Sequence, residues 1–353
     1  MARAVEFTMG GRLELRISAD DVGKRVSVRS LTGSGGTGPT FTDTVGVLTS
    51  WTDGVLSITR RGGQSVRLEE SALVAGKVVP AAPARRRGPA ATTRELREVA
   101  ARGWPAVETA RLGEWTLRAS GGFTGRANSV LPLGDPGVAP DTALERVVHW
   151  YGERGLPALV QVATGGADTD EMLAAELERR GWTAERFTVL RTAALAPLAD
   201  REPDPRVRLS RRPDEVWLDA YRRGSSAGSS EDALKVLAGG PSVWFATVPG
   251  DGDGGDGGAD GGSAAPAAIG RCVVDGRWAG FAAVEVSPER RREGLATAVM
   301  AELARAALAE GASAAYLQVE SGNTDALALY DRLGFVDHHG YHYRRAPRDR
   351  ART

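Results

Sequence analysis

The chain has few of the residues from which disulfides and metal sites are built. Among 353 residues there is one cysteine, Cys272, which excludes an internal disulfide and fits a reducing compartment. The four histidines, His149, His338, His339 and His342, do not have the spacing of a zinc site. We expect the pair His338-His339 in an exposed turn. The sequence therefore favours neither a disulfide-stabilised secreted protein nor a zinc enzyme.

Excess charge and long apolar runs are also missing. Lysine plus arginine equals aspartate plus glutamate, at 45 each. No overall electric field therefore attracts nucleic acid or an anionic membrane. No apolar run approaches the roughly 18 residues of a membrane span, and residues 1–10 lack the apolar segment of a signal peptide. We expect a cytoplasmic protein, monomeric or homodimeric, with no membrane partner and no nucleic-acid partner.

The amino-terminal part has the pattern of a small β-domain. Apolar alternation, as at Val45 and Val47, is typical of strands. The dipeptide Asp53-Gly54 lies between two strand-like runs and predicts a tight hairpin. We predict an SH3-like barrel over residues 1–79, without a catalytic grouping of its own. Residues 80–91 are rich in proline, alanine and arginine, which indicates a linker.

Residues 92–200 alternate between helical and strand patterns. Thr92 or Thr93 can cap a helix that ends near Ala101. The later segments predict strands near 115–117, 129–131, 158–162 and 187–191, and helices near 142–151 and 169–180. This order is typical of a layered α/β unit.

Residues 206–345 predict a second α/β unit. An antiparallel pair is expected at Ile269–Val274 and Trp278–Val286, with its turn at Asp275-Gly276. Residues 250–267 are rich in glycine and aspartate. Their spacing does not match a calcium-binding EF-hand loop, because the twelfth position from Asp251 is glycine rather than glutamate. We therefore expect a disordered insertion there and a disordered tail at 346–353.

One stretch of this second unit has the character of a phosphate site. Arg291-Arg292-Glu293-Gly294-Leu295-Ala296 follows the apolar run Phe281–Val286 and opens a helical pattern, Leu295–Leu308. The first N–H groups of a helix have no partners and the helix dipole is positive there, so an anion binds well. Gly294 permits close approach of the backbone, and the small Ala296 keeps the first turn narrow.

A second motif follows downstream of the apolar run Ala314–Val319. It consists of Asn323, Ala326, Tyr330 and Gly334-Phe335. The pair of patterns, Arg-x-x-Gly-x-Ala and then Asn-x-x-Ala-x-x-x-Tyr-x-x-x-Gly-Phe, resembles the GCN5-related N-acetyltransferase (GNAT) family. In particular it resembles actinobacterial members that carry an amino-terminal SH3-like domain and a degenerate first GNAT-like half.

The resemblance covers about residues 206–345 and implies a fold for the whole chain. It implies an α/β GNAT fold, a mixed sheet flanked by helices, preceded by the all-β amino-terminal domain. Residues 206–345 would form the catalytic domain. Residues 92–200 contain no Arg-x-x-Gly-x-Ala loop, so they would be a degenerate copy that does not bind coenzyme A. Such a copy would serve the structure or form a wall of the acceptor site.

The same resemblance implies acetyl-coenzyme A as cofactor and assigns residues to it. In the family the two central strands splay apart, which leaves backbone groups free for the pantetheine arm. The implied cofactor contacts are Val284, Val286, Arg291, Arg292, Glu293, Gly294, Leu295, Ala296, Thr297, Asn323 and Tyr330. Asn323 can equally be a plain helix N-cap. Tyr330 would be the general acid that protonates the departing thiolate.

The general base has two candidates, Glu285 and Glu320. An amine must lose a proton before or during acetyl transfer, directly or through water. The alternation of a strand predicts Ala282 and Val284 on one face and Glu285 on the other. Glu320 is preferred because it ends the next strand, at the mouth of the splay. The family often has a glutamate where this chain has Gln318, which puts a direct base in doubt.

The function expected from these residues is transfer of an acetyl group to an amine of a small molecule or protein in a ternary complex. The alternative is a non-catalytic acyl-coenzyme A sensor or scaffold that acts through its SH3-like barrel. Cys272 is expected to be a small core residue rather than an acyl carrier. The sequence leaves the acceptor open.

Overall fold

The computed structural model describes residues 15–32, 40–80, 88–224, 230–250 and 265–347. Within these ranges the helices are α1 (Thr93–Gly103), α2 (Pro140–Gly152), α3 (Glu171–Arg179), α4 (Ala196–Ala199), α5 (Glu215–Gly224), α6 (Ser230–Ala238), α7 (Leu295–Ala309) and α8 (Thr324–Arg332). The strands are β1 (Leu15–Arg16), β2 (Arg25–Thr32), β3 (Thr40–Thr52), β4 (Val55–Thr59), β5 (Ser65–Glu69), β6 (Leu73–Val78), β7 (Glu108–Leu112), β8 (Trp115–Ala119), β9 (Leu131–Pro132), β10 (Leu159–Thr164), β11 (Thr183–Ala194), β12 (Arg208–Ser210), β13 (Ser242–Val248), β14 (Ala268–Asp275), β15 (Trp278–Val286), β16 (Ala314–Glu320) and β17 (Val336–Arg345).

The chain divides into two compact units, each built from separate segments. Unit 1 takes residues 1–85, 162–187 and 339–353, and unit 2 takes residues 86–161 and 188–338. The strands β10, β11 and β17 therefore have residues in both units. This division differs from the linear domains that the sequence suggests, because 162–187 group with the amino-terminal strands.

The amino-terminal strands of unit 1 form a six-stranded sheet in the order β1-β6-β2-β3-β4-β5. The hairpin between β3 and β4 turns at Asp53 and Gly54, whose φ values of 52° and 72° suit the tight turn that this dipeptide predicts. The buried face of β3 carries Gly46 and Leu48, whereas Val45 is exposed. An all-β amino-terminal region is thus present. Its identity as an SH3-like barrel remains a prediction.

Later parts of the chain complete unit 1. The Ser65 hydroxyl donates to the Glu178 carboxylate on α3 at 3.1 Å. The buried ring of His342 on β17 stacks on Phe187 with 4.9 Å between ring centroids. A Cβ at Gly63 would lie 2.5 Å from Nδ1 of His342, so only glycine fits there. The amino-terminal strands therefore pack against segments that come much later in the sequence.

The prediction of an exposed turn at His338-His339 is wrong. Both residues lie in β17, and His339 is 1% exposed. In the eight-stranded sheet β17 lies between β10 and β11, so its centre is covered by a strand on each side. The described residues contain no group of histidine, cysteine, aspartate and glutamate side chains that could hold a metal ion.

The large sheet has the order β10-β17-β11-β16-β15-β14-β13-β12. Its pairs β11·β16, β12·β13, β13·β14 and β14·β15 are antiparallel, and β15·β16 is parallel. Such a mixed sheet with flanking helices is the α/β class that the sequence predicts. A separate three-stranded sheet has the order β7-β8-β9.

Two cores pack against the sheet in unit 2, and alternate residues of β14 enter different cores. Cys272 and Val274 join the apolar core around α7, together with Val299, Met300 and Leu303 of that helix. Val273 joins a second core on the other face, which we name the aromatic cluster. Its larger members are Trp104, Phe123, Trp217, Tyr221 and Phe245, with Ile269 and Val273 from β14.

The boundaries of the flexible segments shift from those predicted. Residues 81–87 of the predicted linker lie outside the described ranges, but the carbonyl of Ala91 contacts Nε2 of His338 at 3.0 Å within unit 2. Residues 251–264 of the predicted insertion and 348–353 of the predicted tail also lie outside them. Ala267, however, is buried and donates to the carbonyl of Val248 at 2.9 Å. Helix α6 and strand β7 were not predicted.

No helix in the described parts of the chain has both the length and the apolar character needed to cross a membrane.

Candidate active site

The two central strands of the large sheet separate partway along their length. The parallel pairing of β15 with β16 begins at Trp278 and Ala314 and ends at Phe281 and Leu317. Strand β15 continues to Val286 and β16 continues to Glu320, without pairing to each other. The splay expected from the family resemblance is therefore present, and it opens at the carboxyl ends of both strands.

A β-bulge lies where the splay begins. Glu285 is opposite Ile269 of β14, whereas Ala282 is opposite Arg271, so β15 has two residues where β14 has one. The bulge includes Ala283, whose φ is 51°, a left-handed conformation that is rare for a residue other than glycine. Such strain is often found at functional sites.

The bulge corrects the predicted strand alternation. Ala282 and Ala283 both pack on the aromatic cluster, whereas Val284 packs on the apolar core around α7. Ala282 therefore does not share a face with Val284, because the extra residue shifts the alternation by one position. Glu285 points to the side of the aromatic cluster, since its cross-strand partner Ile269 belongs to that cluster.

The backbone of Val286 is turned toward the opening of the splay. The N–H of Ser287 donates to the carbonyl of Ala267 at 2.9 Å. Because hydrogen-bonded and non-hydrogen-bonded pairs alternate in an antiparallel ladder, the next pair, Val286 with Ala268, directs its backbone groups outward. The N–H and C=O of Val286 thus face the side from which β16 has departed, as an extended ligand requires.

The loop before α7 presents a row of free N–H groups. Arg292 and Gly294 have φ values of 67° and 79°, and the helix begins directly after Gly294. Its first backbone bond runs from the N–H of Ala298 to the carbonyl of Gly294 at 3.0 Å. Among the described residues, no partner is found for the N–H groups of Arg292, Gly294, Leu295, Ala296 and Thr297. Such N–H groups at a helix start are able to bind an anion, and the binding of an anion by this loop stays a prediction.

The charges around the loop also suit an anion. Arg291 and Arg292 are exposed, and no described residue forms an ion pair with either. Glu293, a carboxylate of the same loop, is neutralised by a salt bridge of 2.9 Å to Arg290. The first turn of α7 contains no acidic residue. A Cβ at Gly294 would meet no atom within 4 Å, so the space beside the loop is open.

Helix α8 positions Tyr330 and begins at Asn323. The side-chain oxygen of Asn323 accepts from the N–H of Ala326 at 3.1 Å, so the N-cap interpretation is correct. Tyr330 packs on the apolar core and makes an edge contact with Phe335 at 5.8 Å between ring centroids. Burial raises the pKa of Tyr330 to about 12. Its hydroxyl has no hydrogen-bond partner in the described part of the chain.

The two candidate bases lie in different surroundings. Glu285 is half-buried, and loss of solvation raises its pKa to about 7. Glu320 is exposed at the end of β16, opposite Thr188 of β11. Cys272 is fully buried, and burial raises the pKa of its thiol to about 12, so it is not a nucleophile.

Residues of the first half pack in the aromatic cluster, on the side to which Glu285 points. Trp104 stacks on Phe123 with centroids 6.1 Å apart, and Phe123 meets Tyr221 of α5 edge-on at 6.1 Å. Arg126 lies over the Trp104 ring at 4.1 Å. Residues from the first half thus pack directly on the second half, within unit 2.

The chain is similar to several known proteins. The family described as "Probable histone acetyltransferase Rv0428c C-terminal" matches residues 90–344. The probable histone acetyltransferase Rv0428c of Mycobacterium tuberculosis is 29% identical over 328 residues, which is 93% of this chain and 96% of that protein. The uncharacterized N-acetyltransferase YobR of Bacillus subtilis is 26% identical over 256 residues, 71% of this chain and 97% of that one. A solved GCN5-related N-acetyltransferase from Kribbella flavida shares the fold, with a TM-score of 0.52 and 15% identity over 74% of this chain and 98% of its own.

Proposed function

The chain belongs to the Rv0428c C-terminal family of GCN5-related N-acetyltransferases, and from that premise we propose that it moves the acetyl group of acetyl-coenzyme A directly to an amine in a ternary complex. The observation that carries the proposal is the splay of β15 and β16 beside the free N–H groups at the start of α7. The splay suits the extended pantetheine arm of the cofactor, and the N–H groups at the start of α7 suit its pyrophosphate.

The chain's residues fit coenzyme A in three respects. The N–H groups from Arg292 to Thr297 would hold the pyrophosphate, and Gly294 leaves room for it. Arg291 would add positive charge at the start of the loop. The outward backbone groups of Val286 would bind the pantetheine arm, with Val284 in the same strand segment. Asn323 would contribute indirectly, because it caps α8, the helix that carries Tyr330.

Acetyl-coenzyme A supplies an acetyl group activated as a thioester. The N–H of Val286 would polarise its carbonyl. Glu285 would accept the proton that the amine loses, directly or through water, as the carbon–nitrogen bond forms and the carbon–sulfur bond breaks. Tyr330 would donate the proton that the departing thiolate gains.

Glu285 is now the better candidate for the base. A carboxylate with a pKa near 7 is ionised in part at neutral pH and is a stronger base than an ordinary glutamate. Glu285 also faces the aromatic cluster, which is the side left for the acceptor when the arm lies in the splay. Glu320 remains the alternative, at the exposed end of β16.

The nature of the acceptor is a separate question. The name of the Mycobacterium tuberculosis relative refers to histones, which makes a protein amine one candidate and a small-molecule amine the other. A non-catalytic acyl-coenzyme A sensor is the competing function. The combination of a free Tyr330 hydroxyl with a half-buried Glu285 supports the enzyme, because binding alone requires neither group.

An acetyl-transfer screen tests the proposal. The full chain is incubated with acetyl-coenzyme A and with small amines, aminoglycosides and peptides that have free amino termini. Thiol release and the mass of the acetylated product are measured. We expect at least one acetylated amine, whereas a sensor gives none.

Substitution of Tyr330→Phe then tests the acid. It keeps the ring and its packing, so the free energy of unfolding should barely change. Turnover should fall by about 10²–10⁴-fold, the usual contribution of general acid catalysis. Turnover within twofold of the unmodified chain would mean that water protonates the thiolate.

A further inference from the structure

Arg126 is a half-buried cation to which the described residues provide no counter-ion. Its guanidinium lies 4.1 Å from the centroid of the Trp104 ring. Among the residues that the structure describes, none forms a hydrogen bond or an ion pair with it. Most buried or half-buried charges in proteins are paired, because removing an ion from water is costly. An unpaired, half-buried guanidinium therefore indicates a partner from outside the described part of the chain.

A second guanidinium increases the positive charge at this place. Arg271 is 1% exposed and lies over the same Trp104 ring at 4.9 Å. Within the described ranges it donates only to carbonyl oxygens, those of Leu237 at 2.6 Å, Gly103 at 2.9 Å and Gly239 at 2.6 Å. Carbonyls satisfy its N–H groups without cancelling its charge. Burial, with a smaller contribution from the charge of Arg126, lowers the pKa of Arg271 to about 10.

These cations lie where the splay begins. The charge of Arg126 acts on two groups of the sheet, Arg271 of β14 and Tyr316 of β16. Tyr316 is paired with Gly280 and Arg271 is opposite Ala282. The last paired residue of β15 before the strands part lies between these two positions. Arg126 is thus close to the reacting end of the splay, on the face to which Glu285 points.

The loop that carries Arg126 is held in place by one buried side chain, Asn128. Its Oδ1 accepts from the N–H groups of Ser120 at 2.8 Å and Gly122 at 3.0 Å. Its Nδ2 donates to the carbonyl of Phe123 at 2.7 Å. A loop fixed in this way keeps the guanidinium in position before a ligand arrives, which reduces the entropy lost on binding.

We propose that Arg126 binds an anionic group, a carboxylate or a phosphate, on the amine that this protein acetylates. The inference rests on the proposed function and narrows it to small amines that carry a negative charge. A guanidinium forms strong, often bidentate hydrogen bonds with either anion. A lysine-rich peptide fits this place poorly, because its positive charges would meet two cations beside the single carboxyl group of Glu285.

Matched pairs of amines test the inference by calorimetry at pH 7.5. Phosphoethanolamine is compared with ethanolamine, and β-alanine with propylamine, on the full chain with and without saturating coenzyme A. We expect the anionic member of at least one pair to bind at least about tenfold more tightly, as a charge-assisted hydrogen bond provides. The pair that shows the difference identifies the anion as phosphate or carboxylate.

Two variants complete the design. Arg126→Gln should abolish the difference and leave the affinity for coenzyme A unchanged. Arg146→Gln, which removes an exposed arginine on α2, should keep the difference. Equal binding within both pairs, a difference that survives Arg126→Gln, or tighter binding of a lysine-rich peptide would overturn the inference. Failure of coenzyme A to bind would instead contradict the proposed function, and the measurements without coenzyme A would still decide the role of Arg126.

Discussion

Two ionisable side chains near the splay, Glu285 and Tyr330, have pKa values raised by burial. For the carboxylate this makes a stronger base, and for the phenol it keeps the hydroxyl protonated at neutral pH, so that a proton is present for the departing thiolate. The two groups face different cores, so each can act on a different partner in the reaction.

The pH dependence of the reaction tests Glu285. With a pKa of about 7 in the free protein, kcat/KM should rise as pH increases through 7 and then level off, until other groups titrate. Glu285→Gln should remove this rise and lower kcat/KM by about 10²–10⁴-fold at pH 8. The same variant at Glu320 should change little. If Glu320→Gln removes the rise instead, the base has been assigned to the wrong strand.

The raised pKa of Glu285 should also make the free energy of unfolding depend on pH. The pKa of Glu285 is raised from 4.5 to about 7 on folding, so between these values the folded state binds more protons than the unfolded state. This contribution to stability is complete below pH 4.5 and is lost as pH rises through 7. The change in stability caused by Glu285→Gln should therefore be more favourable at pH 8 than at pH 5. Thermal unfolding of the variant and of the unmodified chain at both pH values measures this change. A change that is more favourable at pH 5 would contradict burial as the cause of the raised pKa.

The chemistry of the loop could be predicted residue by residue, but the position of the bulge could not. The role of Gly294 could be predicted, because a glycine directly before a helical pattern indicates a tight turn with a positive φ. Ala283 gave no such signal, because alanine has no conformational signature. The preference for Glu320 over Glu285 rested on the place of Glu320 at the mouth of the splay, and the identity of the base stays a prediction. Arg126 and Arg271 were also missed, since nothing in a single sequence shows that two arginines 145 positions apart share one ring.

Among the structural elements, α8 connects stability to catalysis. Its N-cap Asn323 satisfies the N–H of Ala326, and the helix then places Tyr330 against the apolar core. Asn323→Ala should lower the free energy of unfolding by about 1 kcal/mol. Asn323→Ser keeps a capping oxygen and should lose only a few tenths of that amount. Denaturant unfolding measures both, and equal losses would mean that the cap does not stabilise the helix.

Helix starts were more predictable than strand partners. The helix expected after Thr92 begins at Thr93, and Thr92 accepts from the N–H of Glu95 at 3.0 Å. Capping is local, so the sequence contains the whole signal. Strand order depends on distant segments. The place of β17 between β10 and β11 buries His339, and no local pattern indicated it.

At the scale of the whole molecule, the proposed site lies entirely in unit 2, whereas the amino-terminal strands belong to unit 1 with segments 162–187 and 339–353. A chain that begins at Ala91 should therefore keep its affinity for coenzyme A. It should also unfold at a lower temperature, because His342 and Glu178 would lose their neighbours Gly63 and Ser65. Calorimetry and thermal unfolding measure the two effects. Loss of coenzyme A binding in a chain that keeps its native circular dichroism would mean that the amino-terminal region helps to form the site.

The binding of acetyl-coenzyme A at the start of α7 is tested most directly by titration calorimetry on two glycine variants of the same helix. Gly294 precedes α7 and Gly311 follows it, both have positive φ values, 79° and 93°, and a Cβ would meet nothing within 4 Å at either. Aspartate at either position should therefore lower stability to a similar extent, by about 1 kcal/mol. Only Gly294→Asp puts a negative charge beside the free N–H groups, so it should weaken acetyl-coenzyme A binding by at least about tenfold, while Gly311→Asp leaves the affinity unchanged. Equal affinities in the two variants would contradict the assignment of the loop and, with it, the proposed function.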